Sequence, residues 1–446
     1  MTHETTARRL ARRTLLALSA GALAAAAAGC TDFLAAENPG AIPVEELNDV
    51  GYVSLLANAP IGAFQDAQDD LTYWNAQFVD ELVNRGAANP FIEEGQIDRR
   101  ELYSDMTYIP VFIYSPMQRA RFLSEDAAAR LTTVLGDSAA RDLRVARALA
   151  YAGYAYVYLG EAMCTTPIDM GAPKPSAEIF ADAIARFGSA ATTAAAARAH
   201  AQTLTPLPTA TIQAADSLRF LALVGAARAA LNRNDKAQAI EFASQVPAAF
   251  VFSAYYSDNT PGQRHRTYDR LTLANLATLA GTPFEAMAAD PRVPRSTTPA
   301  GRVNTPLAPS SYSTFTNTVA GGAFGVAMSQ RFASGLEAQY IVAEAQGPTA
   351  ATLTFVNQRR AAGAQAAVAL TGDALMAELR NQRARDFYLD NHRLGDLRRY
   401  KEFYNVDLFP KGAYPGSTTG QVYNEAVTCW PLPTIEINGN PNIPKS

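Results

Sequence analysis

Apolar residues recur three or four apart over long stretches of this chain, and that period predicts helices. Between about Gly51 and Arg85, Tyr52, Leu55, Leu56, Ala59 and Gly62 fall on one stripe, with Pro60 placed to kink or split the segment. Ala139 to Met163 reads as a strong helix with Leu143, Ala146, Ala150, Tyr154 and Tyr158 near one face. Ser176 to Ala197 follows, with Ile179, Ala183, Phe187 and Ala190 at helical spacing. Asp216 to Asn232 and Lys236 to Gln245 repeat the pattern around an Asn232–Asp235 turn, and Pro247 stops it. A third pair spans Gly335–Gly347 and Thr352–Gly363. Helix, short turn, helix, with small residues packed between, resembles a tetratricopeptide repeat, here unevenly spaced. The expected fold is therefore mainly α: a tetratricopeptide-like helical repeat scaffold. Residues 250–332 break the period with Ser, Thr, Pro, Gly and Tyr, and predict an irregular, loop-rich insert.

The first thirty residues predict export. Arg8, Arg9, Arg12 and Arg13 precede a short apolar run, Leu15 to Ala28, and Ala27-Ala28-Gly29 leads into Cys30. The run is too short to span a bilayer about 30 Å thick, and small residues before a cysteine resemble a bacterial lipobox. The expected organisation is a lipoprotein signal peptide at 1–29, a lipid-anchored tether at 30–50 acylated on Cys30, and one domain from 51 to 446. Cys164 and Cys429 remain; in an oxidising compartment they are expected to pair, two buried thiols being the alternative.

Composition narrows the function. With 48% apolar and 18% charged residues the chain can bury a large core. Removing the signal takes away four arginines and one glutamate, moving the formal charge from −4 to −7, which speaks against a nucleic-acid surface. Four histidines, no metal-spaced His/Cys cluster, no HExxH and no P-loop argue against an enzyme and imply no cofactor and no metal.

The last quarter is more distinctive. Val342-Ala343-Glu344-Ala345 is followed by Asn357 to Gly363, then by Gln382 to Arg399, and then by Pro431 to Asn442 with Glu436 and Asn440-Pro441-Asn442. In this order, behind a lipobox, these segments resemble the SusD/RagB family of outer-membrane nutrient-binding lipoproteins. Gln382 stands where the family has Glu, and Asp386-Phe387 replaces Glu-Leu. The resemblance implies a surface-exposed outer-membrane protein that captures an oligosaccharide or other polymeric nutrient. It would deliver that cargo to a TonB-dependent SusC-like transporter. In some relatives a bound Ca²⁺ helps hold the sugar, and nothing in this sequence marks such a site. A tetratricopeptide-type scaffold for envelope assembly is the alternative.

Sugar rings stack their C–H faces on aromatic side chains while Asn, Asp and Arg bond the hydroxyls. Two groups have that mix. Tyr73, Trp74 and Asn75 with Asp80, Arg85 and Asn89 form the first, and the same residues also fit a helix core. Tyr255, Tyr256, Tyr312 and Phe315 on the insert form the second. Arg383, Arg393, Asp396 and Arg399 fall near one helical face and are read as a salt-bridge network.

Overall fold

The computed structural model describes residues 42–84, 93–268, 270, 277–278, 281–287, 290–293, 327, 329–415, 417 and 420–445. Contacts divide the chain between Asp49 and Val50. Of the first unit, residues 42–49 are described and carry one 3-10 turn, Glu46–Asn48. Everything that follows belongs to the second.

Helix α1 (Val53–Phe78) opens the array, followed by a short α2 (Glu93–Asp98). The run continues with α3 (Ser115–Leu135), α4 (Leu143–Ala162), α5 (Ser176–Ala201), α6 (Thr209–Asn232) and α7 (Lys236–Ala243). From α3 to α7 each helix packs on its neighbour in sequence, and α1 packs on α3 and α4. Asp142 caps α4 by accepting the Arg144 N–H at 2.8 Å, and Asp235 caps α7 through the Gln238 N–H at 3.0 Å. Pro60 neither splits nor ends α1; it is buried inside one continuous helix, where packing on α3 and α4 outweighs the lost backbone bond. Helix α6 begins at Thr209, earlier than the apolar period starts, because its first turn and a half is mostly exposed and so carries no buried stripe.

Small residues let the array close. The ring of Phe187 on α5 lies between Gly153 of α4 and Gly225 of α6; a Cβ there would meet it at 2.6 and 2.2 Å. Gly225→Ala is therefore expected to lower the urea midpoint by the equivalent of about 1–3 kcal/mol. Gly62→Ala, with nothing within 4 Å of its Cβ, should be neutral or stabilising.

Strands β1 (Val83–Asn84), β2 (Thr165–Thr166), β3 (Lys174–Pro175), β4 (Val251–Ala254), β5 (Ala277–Thr278) and β6 (Gln330–Ser334) pair antiparallel as β1–β5, β2–β3 and β4–β6. The β4–β6 pair ties together the two ends of segment 250–332. Phe332 on β6 packs against Phe64, Tyr151 and Tyr154 in the central core.

Helices α8 (Gly335–Gln346), α9 (Ala350–Ala362), α10 (Gly372–Asp386), α11 (Arg393–Tyr404) and α12 (Thr434–Gly439) complete the fold. The segments carrying the family resemblance are structural. Arg359 pairs with Asp386 at 2.7 Å, Arg360 pairs with Glu378, and Arg399 pairs with Glu344 at 2.7 Å. Arg383 sits on α10, whereas Arg393, Asp396 and Arg399 sit on α11, so the four do not share one helix face. Leu389 and Asn391, both with φ of 58°, turn the chain sharply between the two helices. The network nonetheless forms across that turn: Asp396 receives Arg383 Nε and Arg399 Nη2, each at 2.7 Å. Cys164, just after α4, is joined to Cys429 by a disulfide with Cα atoms 5.0 Å apart.

Candidate functional site

The first aromatic group is part of the core. Tyr73 and Trp74 on α1 have no exposed surface, so neither can stack on a sugar. Trp74 packs against Tyr108 and Phe112, and the Arg270 guanidinium lies 4.8 Å from its ring and 5.0 Å from that of Tyr73. Asn75 donates to Asn391 Oδ1 at 2.8 Å and accepts the Trp430 indole N–H at 2.9 Å. Asp80 is held by Arg393 through bonds of 2.8 and 2.6 Å. Asn75 and Asp80 are thus spent on internal partners, and burial takes Tyr73 and Trp74 off the surface. Arg85, Asn89, Tyr312, Phe315 and Cys30 lie outside the described residues.

Tyr255 and Tyr256 do line a cleft. It measures about 320 Å³ between Gly62, Gln65, Asp66 and Asp69 of α1 and the segment Tyr255–Arg266. Tyr255 is 65% exposed, placing its ring on the surface. Tyr256 is fixed: its Oη donates to the Gln65 carbonyl at 3.2 Å and its ring meets His265 edge-on at 4.8 Å. Around the rings stand half-exposed ion pairs, Arg264 with Asp258 at 2.6 Å and Arg266 with Asp66 at 3.3 Å. Pairs exposed in this way contribute little to folding, so their atoms are free to re-pair with hydroxyl groups. Ser257 Oγ donates to Gln263 Oε1 at 3.0 Å in an exposed bond on the same rim.

Beneath this polar rim the carboxyls are dry. Burial pushes Asp69 up to about 7, although N–H bonds from Arg266 and Thr267 pull the other way. Burial likewise raises Asp70 to about 6, against the pull of Arg270. Gln65, Asp66, Asp69, Arg264 and Arg266 were not singled out from the sequence. Their signal is the spacing of acids 66, 69 and 70 opposite arginines 264, 266 and 270, and it has meaning only once the two segments are seen to pair.

Two other hollows are less suited to a polar ring. One of about 370 Å³ is floored by Arg292, Arg331, Arg359 and Asp386, with Arg292 and Arg359 already paired to Asp386. Another, of about 340 Å³ beside Cys164, is lined by Glu161 and Arg399, which pair with the buried Arg228 and Glu344, and by Arg398, which donates to the carbonyls of Gly160, Glu161 and Met163. Among the described residues no group of three or more His, Cys, Asp or Glu could hold a metal ion.

No protein-family model matches the chain, and no curated protein matches it. Solved structures do. A SusD superfamily protein from Bacteroides fragilis superposes with a TM-score of 0.60 at 15% identity, over 89% of this chain and 99% of that one. Surface glycan-binding protein A from Bacteroides uniformis gives 0.57 at 13%, over 88% and 98%. A laminarin-binding SusD-like protein gives 0.55 at 12%, over 87% and 98%. The chain has the fold of the SusD/RagB family, as the order of segments in its last quarter leads one to expect. The tetratricopeptide-like array is the scaffold of that fold.

Proposed function

We propose that this chain is a carbohydrate-binding lipoprotein of the outer membrane, not an enzyme. It holds an oligosaccharide in the Tyr255–Tyr256 cleft and delivers it to a TonB-dependent SusC-like transporter. The observation that carries the reading is the exposed Tyr255 ring set among half-exposed Arg–Asp pairs on a SusD fold. Glycan and laminarin binding by the neighbours above supports the ligand class. The arginine-led apolar run ending at Cys30 supports a lipid anchor, and the resemblance to surface glycan-binding proteins is what supports a position facing the cell exterior. Among the described residues no helix is long and apolar enough to cross a membrane.

Calorimetry and affinity electrophoresis against a panel that includes laminarin test the cleft. Tyr255→Ala should weaken binding about tenfold, the loss of one stacked ring costing about 1.4 kcal/mol. Gly62→Trp should fill the cleft and abolish binding without unfolding the chain, since nothing lies within 4 Å of a Cβ at that position. Undiminished binding in both variants would move the ligand elsewhere. Purification of the lipidated protein in mild detergent should bring a TonB-dependent barrel with it; recovery of assembly factors alone would favour a scaffold.

A further inference from the structure

The two walls of the cleft come from parts of the chain nearly two hundred positions apart, and one buried carboxylate touches both. Asp69 projects from α1 and is 1% exposed. Its oxygens accept the Arg266 N–H, the Thr267 N–H at 3.3 Å and the Thr267 hydroxyl at 3.2 Å. The same carboxylate lies 3.6 Å from Nδ1 of His265, whose ring braces Tyr256 edge-on. A charged acceptor facing two successive backbone N–H groups makes strong, directional bonds.

We propose that Asp69 is the positioning residue of the cleft. Its carboxylate fixes residues 265–267 and, through His265, the ring of Tyr256, so that this wall stands assembled before a ligand arrives. The proposal rests on reading the cleft as the ligand site, and it commits this chain to a preformed wall. The groups facing Asp69 are Asp66 and Asp70 from its own helix, and His265, Arg266, Thr267 and Arg270 from the segment packed against it. Arg266 also reaches Asp66, and Arg270 pairs with Asp70 at 3.1 Å. The ionised carboxylate is the form that holds the N–H groups. Burial lifts Asp69 to about 7, so a fall in pH through neutrality protonates it and weakens the anchor.

Hydrogen–deuterium exchange of the full chain reads the anchor directly and needs no ligand. Asp69→Asn keeps the shape but turns an N–H₂ group toward backbone donors. It should speed exchange at Arg266 and Thr267 at least tenfold while α4 to α6 stay protected. In the native chain, protection of these amides, corrected for intrinsic rates, should fall between pH 8 and pH 6; in Asp69→Asn it should be flat. Should Asp69→Asn fail to fold, Thr267→Val tests the same anchor from the other side, removing one donor and giving a smaller rise at the same amides. Laminarin binding should weaken about tenfold in Asp69→Asn. Unchanged exchange and a flat native pH profile would overturn the proposal. Faster exchange in a chain whose native form binds no saccharide would support Asp69 as the anchor and dismiss the cleft as a glycan site.

Discussion

Asp396→Ala is expected to destabilise the fold by about 3–5 kcal/mol, read as a large fall in the urea midpoint at pH 7. Asp396 is buried and receives Arg383 on one oxygen and Arg399 on the other, each at 2.7 Å. Arg399 also binds Glu344 and the Asn232 side chain. Removing the shared carboxylate leaves two buried guanidinium groups with less counter-charge than burial demands, and that desolvation is the main cost. Burial alone would raise this carboxyl, but the two arginines outweigh it and hold it well below the usual carboxylate range. A depressed folded pKa gives stability that is present above the unfolded value of about 4 and is lost as pH falls further. The gap between native and Asp396→Ala midpoints should therefore be full at pH 7 and shrink below pH 4. A gap that stays constant down to pH 2 would mean that the carboxylate charge is not what the network needs.

Replacing both Cys164 and Cys429 by serine should cost about 4 kcal/mol or more. The bridge closes a loop of 265 positions, and the entropy that it removes from the unfolded chain grows with loop length. The site is already well ordered: the Trp430 N–H binds the Ala162 carbonyl and the Cys164 N–H binds the Trp430 carbonyl, both at 2.9 Å. The native fold should thus survive with its shape intact and a lower melting temperature. Reductant should lower the midpoint of the native chain towards that of the double variant and leave the variant where it is. Equal midpoints with and without reductant in the native chain would show that the bridge does not form. Its presence suits an oxidising compartment.

The array was readable because its helices are amphipathic or rich in small residues at a fixed period. The positions of α4, α5 and α7 follow from Tyr154, Phe187 and Asp235. The residues that the family resemblance rests on, Glu344, Arg359 and Arg399, turn out to be ion-paired scaffold, so the resemblance speaks of fold and is silent on ligand. Trp74 misled for a physical reason. From Ala67 to Phe78 every residue of α1 is buried, so the helix has no wet face in that stretch and polarity loses its meaning as a surface signal. Trp74 is covered by Tyr108 and Phe112 and by Arg270, and the neighbouring Asn75 by Asn391 and Trp430; Arg270, Asn391 and Trp430 lie roughly two hundred to three hundred and fifty positions away in sequence. The cleft has the same difficulty in reverse. Tyr255 was visible as an aromatic on an irregular segment, but Asp66 and Asp69 gain their role from a segment that reaches them across the fold.

The long reach of the C-terminal contacts bears on how the molecule is made. Arg393 closes on Asp80, 313 positions earlier, and Trp430 on Asn75, 355 positions earlier. Synthesis delivers α1 and the residues just after it first, so Asn75 and Asp80 precede their partners by almost the whole length of the chain. A nascent chain that ends before α11 has Asp80 and Glu344 set in the interior with no arginine to meet them. A chain truncated before Arg393 is therefore expected to be cut faster by protease than the full chain, since these carboxylates lack their buried counter-charges. The arginines of the last helices thus act as a seal of completeness, since the buried acids of the earlier helices find their counter-charges only there.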